Sequence, residues 1–223
     1  MTSKEGILRE EIVQRCREMN ANGINQGTSG NISVRLGDHM LISPSATPYD
    51  AMTPEMVAKI AIDDRSGAWE GPKTPSTEWR FHQRILRERP DCPAVIHAHP
   101  TYCTAIGILR RAIPAVHYMV AAFGGTDVRC AGYARYGTEE LSDLVLAALQ
   151  DRTACLMANH GMVAMGETLA KAMWRAVELE TIARQYVTVL QTGADYHVLS
   201  DAEIAETMDG FASYGLQAES AAA

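Results

Sequence analysis

Short apolar runs of strand length alternate with helix-length segments along nearly the whole chain of 223 residues. The longer segments carry apolar residues three and four positions apart, which is the spacing of one helix face. No internal repeat and no long Pro-, Ser- or Gly-rich linker interrupts this order. Such an alternation predicts one α/β domain with helices on both faces of a central sheet. We assign residues 1–215 to this domain and residues 216–223 to a flexible tail.

Capping signals and apolar runs predict the individual elements. Thr2 with Glu5, and Ser200 with Glu203, have the spacing of a capping box at the start of a helix. Apolar spacing predicts a long helix over about residues 168–191. No strand is predicted between the NHG sequence at residues 159–161 and that helix. The predicted strands are NISVR, MLIS, VAKIAI, AVIHAH and ACLMA.

Charge and cysteine content exclude several classes of protein. The chain has 20 Lys and Arg against 27 Asp and Glu, so its net charge of −7 argues against nucleic acid as a partner. Five cysteines without a C-x-x-C pair are typical of reduced thiols in a cytoplasmic protein. No run approaches the roughly 18 apolar residues of a membrane span, and no secretory signal is evident. We therefore expect a cytoplasmic protein without a membrane partner.

Three histidines near predicted strand ends suggest a metal site. Side chains two apart on a strand share a face, so His97 and His99 project together and have the geometry to bind one Zn²⁺. H-x-H alone is nevertheless more often a pair of ordinary polar residues. His160 follows the apolar run ACLMA and precedes Gly161. It fits either a third ligand at the same sheet edge or a turn histidine.

Glu78 has two roles open to it at this point. It lies in the first turn of a helix that Pro75 opens and that ends before Pro90, where a carboxylate is favoured by the helix dipole. Spacing alone favours this capping role over that of a general base beside a metal. His82 is one turn later, but histidines on helix surfaces are commonplace, so we do not predict it as a ligand.

Three short polar segments have the composition of anion-binding turns. Residues 27–31, 43–46 and 75–77 each combine hydroxyls with turn-forming residues. Backbone N–H groups in such turns bind phosphate without needing a lysine. Any one of these segments is more often a simple turn. Their function therefore depends on whether the fold brings them together.

Seven motifs follow one another along the chain in the order GTSGNISVR, LISPSATPYD, PSTEWRFH, VIHAHPTYCTAI, IPAVHYMVAAFGG, YARYGTEELS and NHGMVAMG. In order and content they resemble the class II aldolase family typified by L-fuculose-1-phosphate aldolase. The resemblance extends over residues 5–215. It implies a three-layer α/β (α+β) fold with a central, mostly antiparallel sheet. It also implies a homotetramer with its sites at the subunit interfaces.

The resemblance implies a metal site and a set of catalytic residues. His97, His99 and His160 correspond to the family's ligands of Zn²⁺, with Mn²⁺ or Co²⁺ as alternative ions. Glu78 becomes the catalytic acid or base and a displaceable fourth ligand, which replaces the capping role. Tyr118 corresponds to a proton donor or acceptor contributed by a neighbouring subunit. The remaining implied residues are a C-terminal tyrosine that closes the site, Tyr214, and the phosphate pocket Gly30, Asn31, Ser45, Ala46, Ser76 and Thr77.

The implied reaction is reversible cleavage of a ketose 1-phosphate to dihydroxyacetone phosphate and an aldehyde. Ala46 stands where the family typically has glycine, and Tyr136 where it has phenylalanine. These departures leave L-fuculose 1-phosphate and 5-deoxy- or 5-methylthioribulose 1-phosphate as candidate substrates. Alternatives within the family are a pentulose-phosphate 4-epimerase and a methylthioribulose-phosphate dehydratase. A non-catalytic scaffold like the adducin head is a further alternative, although adducin heads lack the catalytic set.

Overall fold

A computed structural model describes residues 3–211 of the chain. Over that range the chain forms six α-helices and nine strands, together with 3-10 turns at Tyr49–Ala51, Pro54–Met56 and Tyr118–Phe123. The helices are α1 (Lys4–Ala21), α2 (Trp79–Glu88), α3 (Thr101–Ile108), α4 (Glu139–Ala148), α5 (Leu169–Thr192) and α6 (Asp201–Phe211). The strands are β1 (Asn31–Leu36), β2 (His39–Ile42), β3 (Ala58–Ala61), β4 (Ala94–Ala98), β5 (Ile113–Pro114), β6 (Asp127–Val128), β7 (Cys130–Ala131), β8 (Ala154–Met157) and β9 (Met162–Gly166).

Seven strands form one sheet in the order β3-β2-β1-β4-β9-β8-β7, and β5 pairs with β6 separately. All neighbours in the large sheet are antiparallel except β7 and β8, which are parallel. In the central strand β4, His97 pairs with Asn31 of β1 on one side and with Val163 of β9 on the other. The prediction of a central, mostly antiparallel sheet is confirmed.

Helices cover both faces of the sheet, as expected from the alternating pattern. On one face the buried residues of α1, α3 and α5 pack against the sheet, with Ile12, Ile106 and Leu179 completely buried. On the other face α2 and α4 pack through residues such as Phe81 and Val145. This gives a three-layer arrangement in which each helix buries one apolar stripe.

Two predicted helix starts have different outcomes. Ser3, not Thr2, is the N-cap of α1, because its side chain accepts a hydrogen bond from the Gly6 N–H at 3.1 Å. Thr2 lies outside the described residues. At α6 the capping box is confirmed, since Ser200 N–H donates to Glu203 Oε2 at 2.8 Å and Glu203 N–H donates to Ser200 Oγ at 3.4 Å. The tail at 216–223 also lies outside the described residues.

Four strands were not predicted from the sequence. Strands β5, β6 and β7 have two residues each, too few to show periodicity. β9 is a central strand whose five residues are all buried, so it lacks the alternation that marks a half-exposed strand. Long elements were predicted more accurately, since α5 spans Leu169–Thr192 and the expected range was 168–191.

No helix within residues 3–211 is both long and apolar enough to cross a bilayer.

Candidate active site

The structure brings the three histidines singled out in the sequence into one cluster. The Nε2 atoms of His97 and His99 are 2.9 Å apart. The His160 ring centroid is 4.9 Å from each of the other two. Ligand atoms from these rings and from Glu78 all lie within 4.8 Å of one another. Of the two positions that the sequence left open for His160, the structure places its ring beside those of the H-x-H pair.

Backbone geometry explains how these rings meet. His97 is in β4, His99 follows the end of that strand, and His160 is in the tight turn between β8 and β9. Asn159 before it has φ of 53°, a left-handed conformation that asparagine tolerates. A Cβ on Gly161 would lie 2.4 Å from the Ala98 carbonyl oxygen and 2.7 Å from His99 Cδ2. Glycine is thus required for the turn to approach the H-x-H segment.

Glu78 points into the histidine cluster and does not cap its helix. It occupies the N-cap position of α2 but makes no side-chain capping hydrogen bond, so the capping preference from spacing is wrong. The side chain is buried, with Oε2 3.1 Å from His97 Nε2 and Oε1 3.2 Å from His160 Nε2. Burial alone would raise the pKa of Glu78, but His97 and His160 outweigh it and lower that pKa below its usual range.

The hydrogen bonds leave lone pairs directed at one another. His97 Nδ1 donates to the Met162 carbonyl at 2.8 Å, so in the neutral ring Nε2 carries a lone pair. Burial, followed by the neighbouring His97 and His160, lowers the pKa of His99 to about 3, so the His99 ring is neutral near pH 7. Two imidazole nitrogens and a carboxylate that converge in this way are stabilised by a cation between them.

The donor set fits a divalent metal ion. Four-coordinate zinc with bonds of about 2.0–2.1 Å places its ligand atoms roughly 3.3 Å apart. Three of the separations in the cluster, at 2.9, 3.1 and 3.2 Å, are close to that value, and the four ligand atoms all lie within 4.8 Å of one another. Glu78 Oε1 is buried and has no hydrogen-bond partner among residues 3–211, as expected of an atom that awaits a ligand. The four side chains therefore fit the ion that the resemblance implies.

A cavity of about 430 Å³ opens beside the cluster. The three polar segments predicted as anion-binding turns converge on it, which spacing could not establish. The metal cluster forms one part of the wall and the polar turns form the other. The lining residues are Thr28, Ser29, Gly30, Asn31, Pro44, Ser45, Ala46, Ser76, Thr77, Glu78, His99, Tyr136 and His160.

Two of the polar turns are joined to each other by backbone hydrogen bonds. The Ser45 N–H donates to the Thr74 carbonyl at 2.9 Å, and the Ser76 N–H donates to the Ser43 carbonyl at 3.0 Å. These two N–H groups are therefore not available to a ligand. Within residues 3–211 no acceptor is found for the N–H groups of Ala46 and Thr77. The turns thus present two backbone donors, together with their hydroxyls, to an anion.

Ala46 and Gly30 occupy positions with steric constraints. Ala46 has φ of 48°, in the left-handed region that favours glycine, so this position of the loop is strained. A Cβ on Gly30 would meet Asn25 Oδ1 at 2.8 Å and the His97 carbonyl oxygen at 2.9 Å. Gly30 therefore permits the first polar turn to lie directly against the metal-binding strand.

Spacing did not predict the polar residues behind Glu78. His82 is completely buried, not on the helix surface as expected. Its Nε2 contacts Asn31 Oδ1 at 2.5 Å, and Asn31 Nδ2 donates to Glu78 Oε2 at 2.9 Å. The only available signal was that α2 presents His82 one turn after Glu78, on the side that the sheet covers.

The tyrosines are placed differently. Tyr136 lines the cavity and is 61% exposed. Tyr118, in the 3-10 turn Tyr118–Phe123, is 46% exposed and is not among the lining residues. Tyr214 lies outside the described residues.

The fold and the site together define a class: a three-layer α/β protein whose central sheet carries a three-histidine, one-carboxylate cluster beside a cavity lined by polar turns. The chain belongs to the family described as Class II Aldolase and Adducin N-terminal domain, whose model matches residues 10–187. This membership confirms the resemblance found in the motifs.

Similar proteins include two curated enzymes. The L-fuculose phosphate aldolase of Escherichia coli K12 is 47% identical, over 95% of this chain and 97% of its own length. The 5-methylthioribulose-1-phosphate/5-deoxyribulose-1-phosphate aldolase of Rhodospirillum rubrum is 45% identical, over 95% and 94% respectively. A solved structure of an L-fuculose 1-phosphate aldolase superposes with a TM-score of 0.88 at 33% identity, covering 95% of this chain and 98% of that one.

Proposed function

We propose that the protein is a metal-dependent aldolase that reversibly cleaves a ketose 1-phosphate to dihydroxyacetone phosphate and an aldehyde. The observation that carries this proposal is the construction of one cavity from two parts. Imidazoles and a carboxylate form the first, and hydroxyls with unpartnered N–H groups form the second. A substrate with a phosphate and a neighbouring carbonyl matches both parts simultaneously.

The proposed ion is Zn²⁺, with Mn²⁺ or Co²⁺ as alternatives, because three imidazoles and a displaceable carboxylate are a typical catalytic zinc set. Bound there, it supplies Lewis-acid stabilisation of the negative charge that develops on the dihydroxyacetone phosphate fragment, an effect of several kcal/mol. His97, His99 and His160 would hold it. Met162 fixes the His97 ring through the hydrogen bond from Nδ1.

The chain's own residues orient the substrate and move its protons. The N–H groups of Ala46 and Thr77, with nearby hydroxyls, bind the phosphate and hold C2 and C3 beside the cluster. Tyr118 of a neighbouring subunit, as the phenolate, accepts the proton of the C4 hydroxyl as the C3–C4 bond breaks. The electron pair of that bond remains on the C3 side, and Glu78, in its carboxylic acid form in the substrate complex, delivers a proton to C3 and becomes the carboxylate. Tyr214 closes the site.

The relatives support an apolar substrate terminus but not a single sugar. Their names specify L-fuculose phosphate and 5-methylthio- or 5-deoxyribulose 1-phosphate, and the identities of 47% and 45% do not separate these. Tyr136 at the cavity wall adds a hydroxyl where the aldehyde tail would pack. We propose a ketose 1-phosphate with a deoxy or methylthio terminus as the substrate class.

A homotetramer with sites at subunit interfaces completes the proposal. Large apolar residues are exposed on the single chain, including Ile108 at 57%, Leu109 at 55% and Tyr133 at 58%, which is typical of an interface. Mixed assembly of Tyr118→Phe and Glu78→Gln subunits tests the sharing of sites. Activity well above that of either parent is expected, and activity no higher than the parents would exclude a shared site.

We place the enzyme in the cytoplasm, with no nucleic acid or membrane as a partner. All five cysteines are free thiols, and the net charge is −7. Free thiols are typical of a reducing compartment.

A panel of ketose 1-phosphates tests the reaction directly. Purified protein is loaded with zinc, and dihydroxyacetone phosphate is measured with and without a chelator. Release that depends on the metal is expected for deoxy or methylthio substrates. Loss of water without release of dihydroxyacetone phosphate would indicate a dehydratase instead. Inversion of the configuration at C4 would indicate an epimerase. Failure to bind stoichiometric metal would favour the scaffold alternative.

A further inference from the structure

Three polar side chains are buried together behind Glu78. Asn31 and Ser33 share one face of β1, because side chains alternate along a strand, and α2 covers that face with His82. Their exposed fractions are 3%, 0% and 0% respectively. The alternation in NISVR would ordinarily indicate a strand with one solvated face. A polar face that is buried instead needs its hydrogen bonds satisfied within the protein.

These bonds form one continuous chain with a single consistent direction. Asn31 Nδ2 donates to Glu78 Oε2 at 2.9 Å, because the carboxylate accepts only. Asn31 Oδ1 must then accept, and it does so from His82 Nε2. The proton of the neutral His82 ring is consequently on Nε2, and Nδ1 accepts from the Ser33 hydroxyl at 2.7 Å. Reversing the Asn31 amide would direct its oxygen at the Glu78 carboxylate.

The surroundings of His82 are consistent with a neutral ring. Burial, and then the neighbouring His97, lower the pKa of His82 to about 3. Phe81 stacks on the ring with centroids 4.6 Å apart, which restricts its rotation. The imidazole is thus a fixed donor at one nitrogen and a fixed acceptor at the other.

The two oxygens of Glu78 have different environments as a result. Oε2 accepts a hydrogen bond from Asn31 and lies 3.1 Å from His97 Nε2, whereas Oε1 has no hydrogen-bond partner among the described residues and lies 3.2 Å from His160 Nε2. We propose that His82 is a positioning residue: by fixing the Asn31 amide, it holds Glu78 in the one orientation that directs Oε1 at the metal site and the substrate. The Ser33 hydroxyl ends this chain of hydrogen bonds by donating to His82 Nδ1.

This inference rests on the proposed function for the role of Glu78 in proton transfer. The effect of His82 on metal affinity, however, can be measured without the reaction. Partners that orient a metal ligand typically contribute about 10–100-fold to metal affinity. Asn31 also lines the cavity, so the test substitutes His82 and Ser33, which do not.

A matched pair of variants separates positioning from packing. His82→Gln places an amide N–H near the position of Nε2, whereas His82→Asn places its amide near Nδ1 and cannot reach Asn31. Zinc affinity, measured by competition with a chromophoric chelator, is expected to fall 10–100-fold in His82→Asn, with a similar fall in kcat and less than about 3-fold change in KM. His82→Gln and Ser33→Ala should remain within about 5-fold of the parent protein in zinc affinity.

Equal losses in His82→Asn and His82→Gln would overturn the proposal, since they would indicate packing alone. Unchanged zinc affinity in His82→Asn would overturn it too. If the variants fail to fold, ¹⁵N NMR of the zinc-loaded parent protein, labelled at histidine, decides the matter. A neutral His82 ring with its proton on Nε2 is required, and the Nδ1–H tautomer would refute the mechanism. Because neither zinc affinity nor the tautomer depends on turnover, failure of the aldolase proposal would remain distinguishable.

Discussion

The two parts of the cavity wall are built from different portions of the polypeptide. At the metal cluster, side chains form the site: β4 and the turn between β8 and β9 position the histidines, and the start of α2 positions Glu78. At the polar turns, backbone N–H groups and small hydroxyls are the available donors, and two of these turns are joined by hydrogen bonds from the Ser45 N–H to the Thr74 carbonyl and from the Ser76 N–H to the Ser43 carbonyl. A site made of a few charged side chains should fail when one is removed. A site made of many weak donors should lose affinity gradually.

Removal of one histidine should have the largest effect. His99→Ala takes away a ligand that no neighbour can replace, so zinc affinity should collapse and turnover should fall by about 10³-fold or more, given a Lewis-acid contribution of several kcal/mol. Metal content after dialysis and dihydroxyacetone phosphate release measure this. His197→Ala, at an exposed loop position, is the control and should behave as the parent. Retention of stoichiometric zinc by His99→Ala would remove His99 from the site.

Glu78→Gln should separate metal binding from chemistry within the same cluster. Three imidazoles remain to hold the ion, but the group that moves a proton at C3 is neutralised, so kcat should fall by about 10²–10⁴-fold. Metal analysis together with steady-state kinetics tests this. Glu55→Gln alters an exposed carboxylate and serves as the control. Undiminished turnover would show that another residue transfers the proton.

Removal of a hydroxyl from the polar turns should reduce activity less than removal of Glu78 does. Ser76 Oγ accepts from the Glu78 N–H at 3.3 Å, which leaves its own proton for the phosphate. Ser76→Ala should raise KM by about 10–100-fold, the range for a hydrogen bond to a charged group, while zinc affinity stays constant. Ser66→Ala, in an exposed loop, is the matched control. Weaker zinc binding with an unchanged KM would contradict the assignment of separate roles to the metal cluster and the polar turns.

The smallest effect should come from Ala46→Gly. Glycine relieves the left-handed strain at φ of 48°, but it also increases the entropy of the unfolded chain. The free energy of unfolding should therefore rise by no more than about 1 kcal/mol, with KM changed less than about 5-fold. Ala51→Gly, at a position without positive φ, should instead destabilise the protein. Destabilisation by Ala46→Gly, seen as a lower Tm, would indicate that the methyl group packs favourably.

The same contrast explains how well the sequence predicted each part of the site. His97 and His99 were identifiable because the two-residue period of a strand puts both rings on one face. The roles of Glu78 and the polar turns were not decided by spacing. A carboxylate in a first helical turn is usually a cap, and a Ser-rich turn is usually only a turn. Family motifs supplied those assignments.

The fold was predictable where elements are long or alternate in polarity. The amphipathic helix α5 and the hairpin of β1 and β2 match their expected ranges closely. β9 was missed because a strand buried on both faces has no polar period. The polar face of β1 was misleading for the opposite reason, since it alternates yet is covered by α2.

By itself, the sequence determined the class of fold and the helices, and it offered His97 and His99 as candidate metal ligands, since these depend on local periodicity and side-chain chemistry. Only the tertiary structure decided that His160 and Glu78 meet those rings, that the polar turns share one cavity, and that His82 faces inward. Convergence of distant segments depends on strand order and register. These arise from packing of the whole sheet between its helices, which no local pattern encodes.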